Sequence, residues 1–221
     1  MIKVAITMRA SVDPKHGERR DALSRDWIDY LGKLDSSILL FPIVSDPRQV
    51  EQVFNEINPD RIILTNGEDI GVNTERDEAE RKLLKEAVNR DTAVLGVCRG
   101  MQVINNYFGG AKMIQTEDHV TANHSIKFIE QLNYLNSQKS IWNVNSYHKN
   151  AIQKQKLSSE FDGLAVHGAV VEFIRHKYKK IFGIQWHPER PNQDQNETDE
   201  LIKSFLKNKL EAEENKNFDC L

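Results

Sequence analysis

Residues 1 to 110 alternate between short apolar runs and longer amphipathic ones, and no other feature of the chain restricts its architecture as tightly. The runs IKVAITM, SILLF, RIILT and AVLGV are each followed by a segment of helical periodicity. Strand followed by helix, repeated, is the pattern of right-handed βαβ units, so the expectation is an α/β chain whose parallel sheet is covered on both faces. The first helical segment carries Leu23, Trp27, Leu31 and Leu34 on one stripe, with Arg20, Arg25 and Asp29 elsewhere around it. The second opens on Asp46-Pro47, a capping residue before the proline favoured in a first turn, and continues with Val50, Val53, Phe54 and Ile57. Both stripes read as core-facing scaffold. Beyond Gly109-Gly110 the pattern changes to shorter runs, HSIKFIE, SIWNVNSYH, LAVHGAVVEFIRH and KKIFGIQWH, with a hairpin expected around Tyr178-Lys179-Lys180. A polar helix, DELIKSFLKNKLEAEE, follows near the end. With no internal repeat or composition break, residues 1–221 read as one domain.

The 221 residues, 39% hydrophobic and 29% charged, suffice to bury one large core. The formal charge of −3 and the lack of a long Lys/Arg block argue against nucleic acid as a partner. MIKVAIT is followed at once by Arg9 and Asp13, short of the apolar length of a leader or membrane span, so a cytoplasmic location without membrane contact is expected. Of the two cysteines, Cys220 lies in the polar tail EAEENKNFDCL and reads as incidental, which suits a reducing compartment without disulfides.

Cys98 is different. Gly96-Val97-Cys98-Arg99-Gly100 has the form of a nucleophile elbow, a strand-to-helix turn that projects its central side chain. A thiolate at a helix N-terminus is favoured by the dipole and the unpaired amides. The backbone N–H of Arg99 can face an oxygen on the attacked carbon, and Gly67, in Thr65-Asn66-Gly67-Glu68-Asp69 after RIILT, can supply a second donor. A tight turn around a buried structural cysteine is the competing account. In Gly183-Ile184-Gln185-Trp186-His187-Pro188-Glu189, strand alternation can bring His187 and Glu189 to one side, where Glu189 would hold one ring nitrogen while the other serves the thiol.

VCRGMQVINNYFGG, NSYH and GIQWHPE resemble the motifs of class I glutamine amidotransferase-like enzymes, in particular their γ-glutamyl hydrolase branch (peptidase C26 type). The resemblance runs over most of the chain. It implies a flavodoxin-like three-layer α/β/α sandwich with a mainly parallel central sheet, a Cys-His-Glu triad, and a γ-glutamyl thioester that is hydrolysed to glutamate. On this resemblance Cys98 is the nucleophile, His187 the base and acid, Glu189 the orienting carboxylate, and the amides of Gly67 and Arg99 the oxyanion donors. Gln102 matches the helix glutamine beside the glutamyl group, and Asn145, Ser146, Tyr147 and His148 match the loop that recognises its carboxylate and amine. Gln102 and Tyr147 also read as ordinary pocket-rim groups.

Arg19 and Arg20, with Arg76, follow strand C-termini, the edge where open parallel sheets bind ligands. They are candidate phosphate contacts, against the plainer account of solvated helix starts or structural ion pairs. The remaining histidines, His119 and His124 among them, share no familiar metal spacing, so neither a metal nor a cofactor is expected. A small-molecule γ-glutamyl substrate is the expected partner. A separate synthase that takes up ammonia is the less favoured one.

Overall fold

A computed structural model describes residues 1–111, 113–115, 120–133 and 135–210, of which 120–122 are described by their backbone alone. In chain order the first half comprises β1 (Ile2–Thr7), β2 (Arg9–Val12), β3 (Arg19–Ala22), α1 (Arg25–Leu34), β4 (Ile38–Ile43), α2 (Val50–Ile57), β5 (Arg61–Leu64), α3 (Thr74–Asn89), β6 (Ala93–Val97) and α4 (Arg99–Tyr107). The second half comprises β7 (Ile114–Gln115), β8 (Val120–Phe128), β9 (Ile141–Tyr147), β10 (Asn150–Gln153), β11 (Phe161–His167), β12 (Val170–His176), β13 (Ile181–Ile184) and α5 (Gln195–Leu206).

Among the described residues the main sheet has 11 strands in the order β4-β1-β5-β6-β13-β12-β11-β8-β9, with β10 paired to β12 and β7 to β10. Pairing from β4 through β13 is parallel, and every pairing beyond is antiparallel. The α/β expectation therefore holds for a mixed sheet, with less parallel pairing than a mainly parallel sheet would have. The reason is local: strands such as β12 and β13, joined through four residues, can only return antiparallel, because a parallel return needs a long crossover. That pair is the hairpin expected around Tyr178-Lys179-Lys180.

Alternation along the strands feeds two cores. Val4 and Ile6 of β1 enter a cluster with Trp27 and Leu31 of α1 and Ile202 and Phe205 of α5. Ala5 enters the opposite one, with Phe54 of α2, Leu83 and Leu84 of α3, and Met101 and Ile104 of α4. Helices thus cover both faces, in three layers. Among the described residues no helix is long and apolar enough to cross a membrane.

Three local readings change. Asp46-Pro47 opens a turn and not the helix itself: the Asp46 carboxylate accepts from Arg48 N at 2.9 Å and from the Arg48 guanidinium, and α2 begins only at Val50. The polar stretch after β1 forms the β2-β3 hairpin, whose turn is built by Asp13 Oδ1 accepting from the N–H groups of Lys15 and His16, with Gly17 at φ +66°. The final helix starts at Gln195, before DELIK, and ends at Leu206, with Thr198, Leu201, Ile202 and Phe205 buried. Its expected continuation, EAEE, lies outside the described residues, as do His119 and Cys220.

Candidate active site

β6 is buried along its whole length and delivers Cys98 to the sheet's C-terminal edge. There the Cys98 N–H makes a last bond to Ile184 O on β13, at 2.8 Å. The residue then turns to φ +53°, ψ −106°, a conformation costly for any side chain bearing a Cβ, and α4 begins at Arg99. The two flanking glycines permit this by packing. A Cβ on Gly96 would stand 2.5 Å from the Gly100 carbonyl carbon, and one on Gly100 would stand 2.1 Å from Leu64 O of β5. The first turn of α4 therefore presses directly on the sheet, with the sulfur at the positive end of the helix.

Past β13, Gln185, His187 and Glu189 follow in steps of two. Gln185 Nε2 points at Cys98 Sγ, 3.6 Å away, while Trp186 turns into the core. His187 Nδ1 lies 2.9 Å from Glu189 Oε1, both side chains buried. This contact, which strand alternation suggested, forms in the turn after the strand, where Arg190 N–H donates to His187 O at 3.3 Å. Burial disfavours a charge on His187, but proximity to Cys98, the hydrogen bond to Glu189 and the charges of both outweigh it and raise its pKa to about 9. His187 Nε2 makes no aligned hydrogen bond among the described residues, so the influence of the sulfur is one of proximity and not of a formed bond.

Asn145 holds this turn. Its Nδ2 donates to His187 O at 2.8 Å, Arg190 O at 3.0 Å and Pro191 O at 3.3 Å, and its Oδ1 accepts from His187 N–H at 2.9 Å. The Asn145 side chain, expected on substrate, is thereby committed to the backbone around His187.

β5 pairs with β6, Leu64 opposite Gly96, so the loop 65–69 emerges beside Cys98. Gly67, at φ +147°, sits where a Cβ would fall 2.3 Å from Arg76 Nη1. Arg76 Nη2 donates to Thr65 O at 3.1 Å and to Asn66 O at 3.0 Å. In a trans peptide the N–H opposes the preceding carbonyl, so holding Asn66 O on Arg76 turns the Gly67 N–H away from the guanidinium. Arg76 also bonds Glu80 and Glu68, each at 3.0 Å, and Glu80 and Asp77 in turn hold the Arg99 side chain. Every nitrogen of Arg76 is used and the side chain is 1% exposed, so of the two readings of Arg76 the structural ion pair holds and the phosphate contact does not.

Arg19 and Arg20 are exposed on β3, paired with Glu75 at 2.7 Å and Glu18 at 2.6 Å. They line a cleft shared with Asp21, Asp46 and Glu75, whose carboxylates balance the charge. Gln102, one turn into α4, is buried and donates to Asn150 O at 2.9 Å, tying the segment after β9 to the helix. Ser146 is fully buried. His148 turns inward, its Nδ1 3.1 Å from Asn150 O and its Nε2 3.7 Å from Glu172 Oε1. Tyr147 is the member of that loop whose ring reaches His187, at 5.4 Å between centroids.

Sequence reading missed Gln185, the clamp role of Asn145, and Glu172, which lies buried within 3.3 Å of His124 Nε2. Burial raises the Glu172 pKa, against the lowering effect of His124. For Gln185 the signal existed, two residues before His187 on the same side; for Glu172, inside an apolar strand, nothing local marked it.

Residues 20–208 match the family model described as glutamine amidotransferase class-I. The chain is 29% identical to the γ-glutamyl-CDP-amidate hydrolase of Campylobacter jejuni, over 86% of this chain and 90% of that one. It is 31% identical to a glutamine-hydrolyzing GMP synthase subunit of Methanococcoides burtonii, over 75% of this chain and 81% of that one. A solved glutamine amidotransferase of Thermotoga maritima has the same fold, with TM-score 0.64 and 13% identity, over 96% of this chain and 86% of that one.

Proposed function

The chain belongs to the glutamine amidotransferase class-I family, and on that premise we propose that it hydrolyses a γ-glutamyl amide through a thioester on Cys98. The observation that carries this reading is the coupling of a cysteine at φ +53° on a helix N-terminus to a buried imidazole whose other nitrogen is held by Glu189 at 2.9 Å.

His187 takes the thiol proton and Cys98 Sγ attacks the γ-carbonyl carbon, forming an S–C bond. The oxygen, now negative, is met by the amides of Gly67 and Arg99. Collapse breaks the C–N bond, and the amine leaves with the proton from His187. Water then gives a proton to His187 and attacks the thioester; the S–C bond breaks, glutamate departs, and the thiol is restored. Glu189 keeps the imidazole in the tautomer and orientation both halves require. In this reading Gln102, buried in the first turn of α4, borders the glutamyl group. No step calls for a cofactor.

For the leaving amine, our specific reading is γ-glutamyl-CDP-amidate, which would yield glutamate and cytidine diphosphoramidate for phosphoramidate modification of capsular polysaccharide; the likeness to the Campylobacter jejuni enzyme supports it. The likeness to a GMP synthase subunit supports a second reading, a glutaminase that supplies ammonia to a separate synthase. Hydrolysis of γ-glutamyl polyamines or folate polyglutamates is a further alternative within the same chemistry. The test is glutamate release from γ-glutamyl-CDP-amidate, a γ-glutamyl polyamine, folyl polyglutamate and free glutamine, with Cys98→Ala as the blank. Preference for the CDP-amidate is the expected result. Release from free glutamine alone, and only after adding a synthase, would establish the second reading instead. Wild-type release equal to that of the folded Cys98→Ala blank would refute both.

A further inference from the structure

Next to His187 stands an arginine that the mechanism above leaves unused. The Arg190 guanidinium lies over the Tyr147 ring, 4.5 Å from its centroid, and that ring is the one packed against His187. Its nearest carboxylate contact is loose, 3.8 Å from Nε to Glu189 Oε1, and that oxygen already serves His187 Nδ1. Its two terminal nitrogens make no hydrogen bond among the described residues, and the side chain is 33% exposed. Arg19 and Arg20 of the hairpin and Arg76 and Arg81 of α3 are, by contrast, occupied by carboxylates.

Position decides what such a group can meet. The leaving nitrogen collects its proton from His187, so whatever that nitrogen carries departs on the His187 side of the sulfur. In the same reading the glutamyl side belongs to Gln102 within α4. Arg190 is one aromatic ring from His187 and its head reaches solvent, which places it beside the leaving group. A planar fork with free donors, steadied by a ring face, binds an oxyanion through paired charge-assisted hydrogen bonds. Arg9, an exposed residue, borders the Gly67 loop, its Cβ 3.1 Å from where a Cβ on Gly67 would stand.

We infer that Arg190 is a specificity-determining residue that binds an anionic group, of the phosphoryl or phosphonyl class, carried by the leaving amine. The inference rests on the hydrolase reading given above and narrows its substrate class.

The test compares two synthetic substrates that differ in the leaving group alone, γ-glutamyl-aminomethylphosphonate and γ-glutamyl-methylamide, followed by glutamate release in the wild type, Arg190→Gln and Arg190→Lys, with Cys98→Ala as the blank. The wild type should prefer the phosphonate. Arg190→Gln should lower kcat/KM for the phosphonate by about tenfold to a hundredfold, mainly through KM, and leave the methylamide nearly unchanged. Arg190→Lys should restore part of the preference, since it keeps the charge but not the fork. An equal fall for both substrates in Arg190→Gln would show that the arginine only packs on Tyr147, and would overturn the inference while leaving the hydrolase reading intact. Cleavage of neither substrate by the wild type, with γ-glutamyl-CDP-amidate, the γ-glutamyl polyamine and folyl polyglutamate also untouched, would refute the hydrolase reading and this inference with it.

Discussion

Replacing Glu189 with glutamine separates orientation from nucleophilicity at the site. The substitution keeps the shape and one acceptor oxygen of the side chain and removes its charge. His187 and Glu189 are 3% and 1% exposed and 2.9 Å apart, so water does little to screen their interaction. The imidazolium is favoured from its ordinary value near 6.5 up to about 9, although burial opposes it. That difference corresponds to roughly 3 kcal/mol of net preference for the charged ring. Cys98 and Glu189 share the favourable part, so withdrawing the Glu189 charge removes on the order of 1–2 kcal/mol, a slowing of about fivefold to thirtyfold. The sign for pH follows: with the imidazolium less favoured, the pH above which His187 loses its proton drops, and the alkaline limb of kcat/KM moves down. Initial rates of glutamate release measured across about pH 5 to 10 for wild type, Glu189→Gln and Cys98→Ala read both quantities. A Glu189→Gln profile superimposable on the wild type, in rate and in alkaline limb, would refute the orienting role. Loss as complete as in Cys98→Ala would refute it from the other side.

Other outcomes follow from the same geometry. Gly100→Ala drives a Cβ to 2.1 Å from Leu64 O and should cost about 3 kcal/mol in urea unfolding, whereas Gly32→Ala in α1, with nothing within 4 Å, should be neutral or stabilising by about 0.5–1 kcal/mol. Asn145→Ala releases the turn that carries His187 and should lower kcat by about tenfold or more with a smaller effect on KM, read in steady-state kinetics. Because the folded-state pKa of His187 is raised, the stability it contributes is complete below about pH 6.5 and is lost as pH rises through about 9. The difference in urea midpoint between wild type and His187→Gln should shrink across that window; a constant difference would contradict it.

The order of strands and helices through residue 107 is legible because buried strands and one-sided helices leave different periods in a sequence, as Val4 to Ile6 and Trp27 to Leu31 do. The β2-β3 hairpin escapes sequence reading because its strands bury almost nothing; Asp13, Pro14 and Gly17 mark the turn, but no apolar run flanks it. At the site, Cys98 and the His187-Glu189 contact can be read because each is announced by close neighbours: two glycines, and a spacing of two residues. Asn145 reaches His187 across 42 residues, and Arg76 reaches the carbonyls of the 65–66 loop from the next helix. Those bonds depend on which strands end side by side, which no local period encodes. Glu80 stands four residues from Arg76 on one helix and is legible as its partner, but the burial of the pair and the reach to Glu68 and the loop carbonyls come from how α3 packs against that loop.

The Asn66-Gly67 peptide gives the buried arginine a consequence for control. To reverse that peptide, a regulator would have to strip a carbonyl from a guanidinium inside the protein and leave part of its charge unanswered, a penalty set by desolvation and not by loop softness. Any governor of turnover would therefore act more cheaply at the mouth of the site, where Tyr147 and Arg190 stand in water, than at the amide itself.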